Sequence, residues 1–273
     1  MEKWIVKPKV TYNCLQCGAR EVTLEHLSLD ATDSTNSYAR SLQLDAQDRW
    51  LLVTTDYQLA GRGAGTNSWE SAAGENLLLS LRLRPVSLEA CRMFGLSEVL
   101  ALALSDTVST YADGFSIKWP NDLYHCDDKV AGMLIENSLS GGWVTDSTLG
   151  LGLNVNQMRF ESDAPNPASL AQIVGRPLRR ETLLDELLEH FAQRMAQMED
   201  GATETLHREY CGRLYRREGF HPYADARGVF SAAIEDVEPD GHLLLRDTEG
   251  GLRKYAFKEV SYISQSLARK GNI

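Results

Sequence analysis

Residues 118–137 contain two short apolar runs, each next to a tight turn, and this arrangement predicts a β-hairpin. The first turn, at 120–122, is Pro-Asn-Asp, in which proline fixes φ and the other two residues tolerate turn conformations. A second turn separates this segment from the apolar run at 130–135. The hairpin is expected to hold Asp122 beside a bend and Lys129 at the start of the following strand. A carboxylate and an ammonium would then be presented from rigid backbone, which suits a charged substrate.

Apolar runs of strand length recur along the chain with short turns between them. Because successive strands joined by short turns pair antiparallel, the pattern favours an antiparallel meander over a parallel sheet. Further strands are predicted at 24–29, 49–57, 75–83 and 143–156. Helices are predicted from residue 33 to about 44, from 87 to about 113, at 169–174 and at 181–198.

The pattern changes near residue 212, where short strands replace the long helices. Strands are predicted at 229–236, 243–247 and 252–257, separated by turns rich in glycine and aspartate. This spacing fits a compact, barrel-like C-terminal unit. The chain therefore divides into a polar, weakly patterned leader at 1–23, a main domain at 24–211 and a small C-terminal domain at 212–273.

Composition excludes several classes of protein. The formal net charge of −10 over 273 residues argues against a general nucleic-acid binder, which needs a basic surface. No apolar run approaches the roughly 18 residues of a membrane span, and no signal peptide is visible. Five widely spaced cysteines favour reduced thiols in the cytoplasm over a disulfide framework. Cys14 and Cys17 form a lone C-x-x-C whose nearest further metal ligand is His26, so two reduced cysteines are the simpler interpretation.

A glycine-rich segment at 58–69 follows the strand at 49–57. Glycines at 61, 63 and 65 flank Arg62, so the backbone can approach a ligand closely. No Gly-Lys-Ser/Thr follows, which excludes a Walker A loop, and the next segment is a strand, which excludes a Rossmann fingerprint. Arg62 suits a phosphate and Trp69 suits an apolar ring. The alternative is a surface loop without a ligand.

Two further segments carry candidate binding groups. Residues 33–36, Asp-Ser-Thr-Asn, offer N-cap side chains and free N–H groups at a helix start. Capping alone is the alternative there. The strand at 149–156 contains Gly150 and Gly152, which indicates a close approach to its backbone.

Taken together and in order, these motifs resemble those of the biotin–protein ligases, or biotin–[acetyl-CoA-carboxylase] ligases. The resemblance covers residues 24–263. It implies an α+β fold, in which a mixed, largely antiparallel β-sheet of the class II synthetase/biotin ligase type is flanked by helices and followed by a small C-terminal SH3-like β-barrel. The matching motifs are D-S-T-N at 33–36, Q-x-x-G-R-G at 58–63 with the tryptophan at 69, K-W-P-N-D-L at 118–123, K-V-A-G at 129–132 and G-x-G-x-N at 150–154.

The resemblance implies a two-step reaction. ATP and biotin give biotinyl-5′-AMP and pyrophosphate, and a lysine of a biotin carboxyl carrier protein then takes the biotinyl group. Mg²⁺ is implied on the phosphates, with no protein metal ligand assigned. The short leader leaves no room for the DNA-binding domain of some relatives, so a monofunctional, cytoplasmic enzyme without DNA or membrane partners is expected. A homodimer is expected by analogy only.

Residue roles follow from the same resemblance. Lys129 is expected at the biotin carboxylate and bridging phosphate, and Arg62 in the loop that covers the adenylate. Asp122 would orient or deprotonate the incoming lysine, or support the metal. The residues implied for biotin are Ser34, Thr35, Asn36, Gln58, Arg62, Gly63, Ala64, Trp69, Lys129 and Gly132, and those for the nucleotide are Arg62, Lys118, Asn121, Lys129, Gly150, Gly152 and Asn154.

One departure from the family pattern lies at 64–67, where Ala-Gly-Thr-Asn stands in place of arginine-rich sequence. Fewer guanidinium groups to grip phosphate predict a looser hold on the adenylate and a more mobile empty loop. Two alternative functions remain at this point. One is a lipoate–protein ligase or octanoyltransferase, and the other is a non-catalytic biotin sensor.

Overall fold

An eight-stranded mixed sheet forms the larger part of this computed structural model, which describes residues 8–44, 46, 48–65, 67–161 and 166–263. The strand order is β1-β2-β3-β4-β8-β7-β6-β5. The strands are β1 Lys9–Cys17, β2 Arg20–Thr32, β3 Arg49–Gln58, β4 Leu77–Leu83, β5 Phe115–Lys118, β6 Asp122–His125, β7 Asp128–Ser140 and β8 Trp143–Leu153.

Neighbouring strands of this sheet pair antiparallel except β2 and β3, which are parallel. A parallel pair needs a crossover connection, and helix α1, Thr35–Ser41, supplies it. The predicted mixed, largely antiparallel sheet is therefore confirmed. The predicted hairpin at 118–137 corresponds to β6 and β7.

Helices cover one face of the sheet. They are α2 Gly95–Ser109, α3 Leu170–Val174, α4 Arg180–Glu199 and α5 Thr203–Gly212, and a 3₁₀ turn at Ala90–Arg92 precedes α2. Helix α2 is buried on nearly all sides, because it lies between the sheet and α4. Trp50 of β3 meets Phe191 of α4 edge to face, with ring centroids 5.4 Å apart. None of the described helices is long and apolar enough to span a membrane.

The structure corrects several sequence expectations. Residues 9–23 are not a weakly constrained leader, because β1 and the start of β2 belong to the large sheet. Strand β1 lies at the sheet edge and is exposed along most of its length, so it carries no alternating apolar signal. The helix expected from 87 to about 113 is shorter, since α2 covers only Gly95–Ser109 and follows a separate 3₁₀ turn, and α5 was missed.

The C-terminal unit is a five-stranded sheet of order β12-β11-β10-β9-β13. Its strands are β9 His221–Asp225, β10 Gly228–Val237, β11 Leu243–Asp247, β12 Leu252–Tyr255 and β13 Ser261–Tyr262. A strand-rich C-terminal unit is thus confirmed, although the sequence pattern missed β9 and β13. Closure into an SH3-like barrel and the division of the chain at residue 212 stay predictions.

A histidine on α5 connects the helical layer to the C-terminal sheet. His207 Nδ1 lies 2.7 Å from Glu98 Oε1 on α2, and His207 Nε2 lies 2.9 Å from Asp236 Oδ1 on β10. The Cys211 sulfur, one turn along α5, is 3.5 Å from Nε2. Cys211, Glu98 and Asp236 together raise the pKa of His207 to about 11, against the opposing effect of burial. The imidazolium therefore bridges two carboxylates in different parts of the fold.

This bridge predicts a pH-dependent stability. An unfolded histidine titrates near pH 6.5, so the contribution of His207 is full below that pH and declines as the pH rises towards the folded pKa. Between pH 7 and 9 the free energy of unfolding, measured with denaturant, should fall. One proton limits that fall to about 1.4 kcal/mol per pH unit, and the half-exposed Asp236 lowers it further.

The fall between pH 7 and 9 should be smaller in His207→Gln. The matched control is His221→Gln on β9, whose ring bonds only the Glu218 carbonyl among the described residues and which should keep the wild-type slope. Identical slopes for wild type and His207→Gln would contradict the bridge.

Candidate functional site

A cavity of about 1100 Å³ opens on the sheet face and is also lined by residues 257, 258 and 260–262 of the C-terminal unit. It brings together groups from widely separated stretches of the chain. Every residue that the sequence predicted for the site lines it: Ser34, Thr35, Asn36, Gln58, Arg62, Gly63, Ala64, Trp69, Lys118, Asn121, Asp122, Lys129, Gly132, Gly150, Gly152 and Asn154.

A second cavity, of about 760 Å³, lies between α2, α4 and α5. Its charged groups are already paired with each other. Arg194 Nε lies 2.8 Å from Asp106 Oδ2, and Arg213 Nη1 lies 2.6 Å from Asp106 Oδ1. This cavity contains none of the predicted residues and is the weaker candidate.

The hairpin of β6 and β7 positions an ion pair in the first cavity. Lys129 Nζ lies 2.7 Å from Asp122 Oδ1, and both side chains are partly buried. The backbone of Lys129 is fixed from its other side, because its N–H donates to the Asn166 carbonyl at 2.7 Å and its carbonyl accepts from the Ala168 N–H at 2.9 Å. The predicted carboxylate and ammonium are thus presented together on rigid strands.

A second ammonium lies on the same side of the cavity. Lys118 Nζ donates to Tyr124 Oη at 2.7 Å. Burial lowers the pKa of Lys118, and the nearby Lys129 and Arg216 act in the same direction, while Asp122 opposes them. Two crowded cations with one neighbouring carboxylate favour an anionic ligand.

The start of α1 supplies buried polar groups. Ser34 precedes the helix without making a side-chain cap hydrogen bond, so capping alone does not account for it. Gln58 Oε1 accepts from the Thr35 N–H at 2.8 Å, and Ser80 Oγ donates to Thr35 Oγ1 at 2.8 Å. Asn36 Nδ2 donates to the Leu134 carbonyl at 3.1 Å. Sequence reasoning missed Ser80, although a serine within the apolar run Leu77–Leu83 was an available signal.

Three glycines of β7 and β8 make space for protein side chains. A Cβ added at Gly152 would lie 2.4 Å from the Trp69 ring, and one at Gly132 would lie 2.9 Å from it. At Gly150 a Cβ would meet Asn36 Oδ1 at 2.2 Å. The close approach predicted at these glycines is therefore made first by Trp69 and Asn36. Trp69 Nε1 is buried against Gly152 and has no hydrogen-bond partner among the described residues.

The glycine-rich segment folds back on itself. Trp69 N–H donates to the Gly61 carbonyl at 2.9 Å, and Gly63 N–H donates to the Asn67 carbonyl at 2.8 Å. Arg62 Nη2 lies 3.2 Å from Glu136 Oε1. The loop guanidinium thus has a carboxylate partner in this conformation.

Two asparagines differ in what they offer a ligand. Asn121 Nδ2 donates to the Met133 carbonyl at 2.6 Å, which ties the turn to β7. Asn154 Nδ2 donates to the Ala168 carbonyl at 3.1 Å, whereas the buried Asn154 Oδ1 has no partner within the described ranges. Asn154 therefore presents an unused acceptor to the cavity.

The predicted cysteine pair lies outside the cavity. Both residues are free thiols on β1, with Cys14 exposed and Cys17 buried. Burial and then Glu199 raise the pKa of Cys17 to about 11. A thiol with a raised pKa is a poor metal ligand and a poor nucleophile.

The C-terminal unit lines the cavity with residues that the sequence did not predict. These are Phe257, Lys258, Val260, Ser261 and Tyr262. No local pattern marks them, because their role depends on how the second sheet packs on the first. Trp119 next to the hairpin helps fix that packing, since its Nε1 donates to the Gly241 carbonyl at 2.9 Å.

Comparisons with known proteins agree with this geometry. Residues 28–154 match the model of the biotin/lipoate A/B protein ligase family. The chain is 33% identical over 237 residues to a biotin–[acetyl-CoA-carboxylase] ligase of Paracoccus denitrificans, covering 81% of this chain and 94% of that protein. It is 35% identical over 164 residues to the bifunctional ligase/repressor BirA of Salmonella typhimurium, covering 59% of this chain and about half, 50%, of that protein.

The fold has a solved counterpart. The biotin protein ligase from Aquifex aeolicus in complex with biotin and ATP superposes with a TM-score of 0.71 at 22% identity, covering 86% of this chain and 97% of that chain. At this identity the likeness shows the fold, and it confirms the α+β architecture expected from the sequence.

The contact between Trp69 and Gly152 predicts a specific mutational effect. Gly152→Ala forces the indole ring away from the sheet, and such overpacking costs about 1–3 kcal/mol of stability. Chemical denaturation followed by tryptophan fluorescence should show both the loss and a changed native spectrum. Gly212→Ala at the end of α5 is the control, since nothing lies within 4 Å of its added Cβ. Equal effects of the two substitutions would contradict the packing described for Trp69.

Proposed function

Because the chain belongs to the biotin–protein ligases of the biotin/lipoate A/B protein ligase family, we propose that the first cavity performs their reaction. It joins biotin and ATP into biotinyl-5′-AMP and transfers the biotinyl group to a lysine of a biotin carboxyl carrier protein. The observation that carries this proposal is that all five motifs contribute residues to one cavity around the Lys129–Asp122 pair.

The first step brings two anions together. A biotin carboxylate oxygen bonds to the α-phosphorus of ATP and pyrophosphate leaves. Two unit charges 4 Å apart near a protein surface repel by about 4 kcal/mol, so the cavity must supply positive charge. Lys129 and Lys118 lie on one wall and Arg62 lies in the loop. We assign Lys129 to the carboxylate and phosphate, and Arg62 to the cover over the adenylate.

The second step needs a neutral amine. The carrier lysine attacks the carbonyl carbon of the mixed anhydride, an amide forms and AMP leaves with the bonding electrons. The attacking nitrogen loses a proton in this step. Asp122 is the carboxylate that lines the cavity beside Lys129, and we assign it to orienting this amine and accepting its proton.

The biotin end of the cavity combines polar and apolar surface. Ser34, Thr35 and Gln58 offer hydroxyl and amide groups to the ureido ring, which carries both donors and acceptors. The Trp69 ring covers the sheet beside them and would contact the apolar chain of biotin. Gly132 and Gly152 keep that ring close to the backbone.

Magnesium is the remaining expected component. Hard cations take oxygen ligands, and the cavity offers the Asp122 carboxylate and the unpartnered Asn154 Oδ1. These residues fit an ion that is carried mainly by the nucleotide phosphates. When bound, the ion neutralises phosphate charge and helps to fix the phosphate geometry.

The first functional prediction concerns Lys129. The wild-type chain should transfer biotin to a carboxylase carrier domain in the presence of ATP. Lys129→Ala should lower biotin-dependent pyrophosphate release about 100-fold, the usual size of losing one preorganised electrostatic contact. Lys9→Ala at the exposed edge strand β1 is the control and should keep full activity. Release driven by lipoate in place of biotin would overturn the substrate assignment.

The second prediction concerns the uncharged loop position Ala64. Ala64→Arg adds a guanidinium to the cavity wall, and a hydrogen bond to a charged group contributes about 1.5–3 kcal/mol. The release of biotinyl-AMP, timed after trapping the intermediate, should slow about tenfold or more. Ala64→Gln provides similar bulk without charge and should release at the wild-type rate. Equal release from the wild type and the arginine variant would refute the looser hold.

A further inference from the structure

The ammonium of Lys258 lies against the glycine-rich loop at Gly65. The residue belongs to the turn between β12 and β13 of the C-terminal unit, yet it lines the first cavity. A Cβ added at Gly65 would lie 2.2 Å from Lys258 Nζ. The side chain therefore crosses from the second sheet to the loop that closes the cavity, and glycine at 65 leaves room for it.

Within the described part of the chain, no carboxylate pairs with the ammonium of Lys258. Its Nζ lies 5.7 Å from the centroid of the Phe257 ring. Arg62 in the same loop is paired with Glu136, and Lys129 is paired with Asp122. An anion entering between the loop and the C-terminal unit would thus meet Lys258 without first displacing a carboxylate.

The backbone conformation of Lys258 is unusual for a residue with a side chain. Its φ is +71°, in the left-handed region that favours glycine. The turn around it is held by a hydrogen bond from the Glu259 N–H to the Ala256 carbonyl at 3.1 Å and by another from the Ala256 N–H to Glu259 Oε2 at 2.7 Å. Glycine would suit this turn better, so the turn geometry gives no reason for a lysine here. A long cationic side chain at a strained position indicates a use for its charge.

We propose that Lys258 binds a phosphate group of the nucleotide directly. Ala64 and Gly65 give the loop no charge at these positions. Lys258 supplies a cation there from the C-terminal unit. Because phosphate enters this cavity as part of the nucleotide of the proposed ligase reaction, the inference rests on that function.

The test compares three variants by their dependence on ATP. Lys258→Gly removes the charge and relieves the left-handed backbone, so it should fold at least as stably as the wild type. Its KM for ATP in biotin-dependent pyrophosphate release should rise about tenfold, the effect of losing one charge-assisted contact, while its KM for biotin stays within about twofold. Lys258→Arg should restore the KM for ATP. Lys254→Ala, which removes another exposed lysine that pairs with Glu238, should leave both constants unchanged.

The rate at which the adenylate is released identifies the phosphate that Lys258 contacts. Faster release of biotinyl-AMP from Lys258→Gly places the contact at the α-phosphate. Unchanged release with a raised KM for ATP places it at the phosphates that leave as pyrophosphate. Both outcomes support the proposal. An unchanged KM for ATP in Lys258→Gly, or an arginine variant that behaves like the glycine variant, would overturn it.

Equilibrium binding of ATP without biotin separates this inference from the proposed function. Suppose that the wild type binds ATP, that Lys258→Gly binds it about tenfold more weakly, and that no biotin-dependent pyrophosphate is released. This result would support the role of Lys258 in binding ATP and would refute only the ligase assignment. Equal ATP affinities for the two proteins, with full ligase activity, would remove only the role of Lys258.

Discussion

The cavity depends on a place where two paired strands carry no side chains. Gly132 of β7 and Gly152 of β8 are directly opposite each other in the sheet, so the backbone itself forms the floor. Trp69 can lie flat there only because neither residue has a Cβ. Gly150, two residues along β8, admits Asn36 from α1 in the same way. Both the loop and the start of α1 therefore contact the sheet backbone directly at glycines, and the charged hairpin lies beside them.

Charge in the cavity is arranged in partly compensated pairs. Lys129 pairs with Asp122, Arg62 pairs with Glu136, and Lys118 donates to the Tyr124 hydroxyl. In the function that we propose, such paired cations stay partly buried between turnovers and redirect their hydrogen bonds to phosphate when the nucleotide binds. This arrangement concentrates cationic groups in one cavity of a chain whose net charge is −10.

The two sheets contribute to one site because specific contacts lock them together. His207 bridges Glu98 and Asp236 across the boundary, and Trp119 donates to the Gly241 carbonyl. Residues 257, 258 and 260–262 reach the cavity as a result. A C-terminal unit that looks like a separate module in the sequence is in this way part of the wall of the cavity.

The sequence by itself determined the strands with strong apolar runs, the hairpin at 118–137 and the motif residues, because turn chemistry and periodicity are local properties. It failed at β1, whose exposed edge carries no alternation, and at α5 and β9. Only the tertiary structure decided which distant groups meet. Asn36 bonds a carbonyl 98 residues away, Trp69 covers two glycines on other strands, and Lys258 reaches Gly65 from the opposite sheet. Such contacts follow from the packing of whole elements, which no short stretch of sequence encodes.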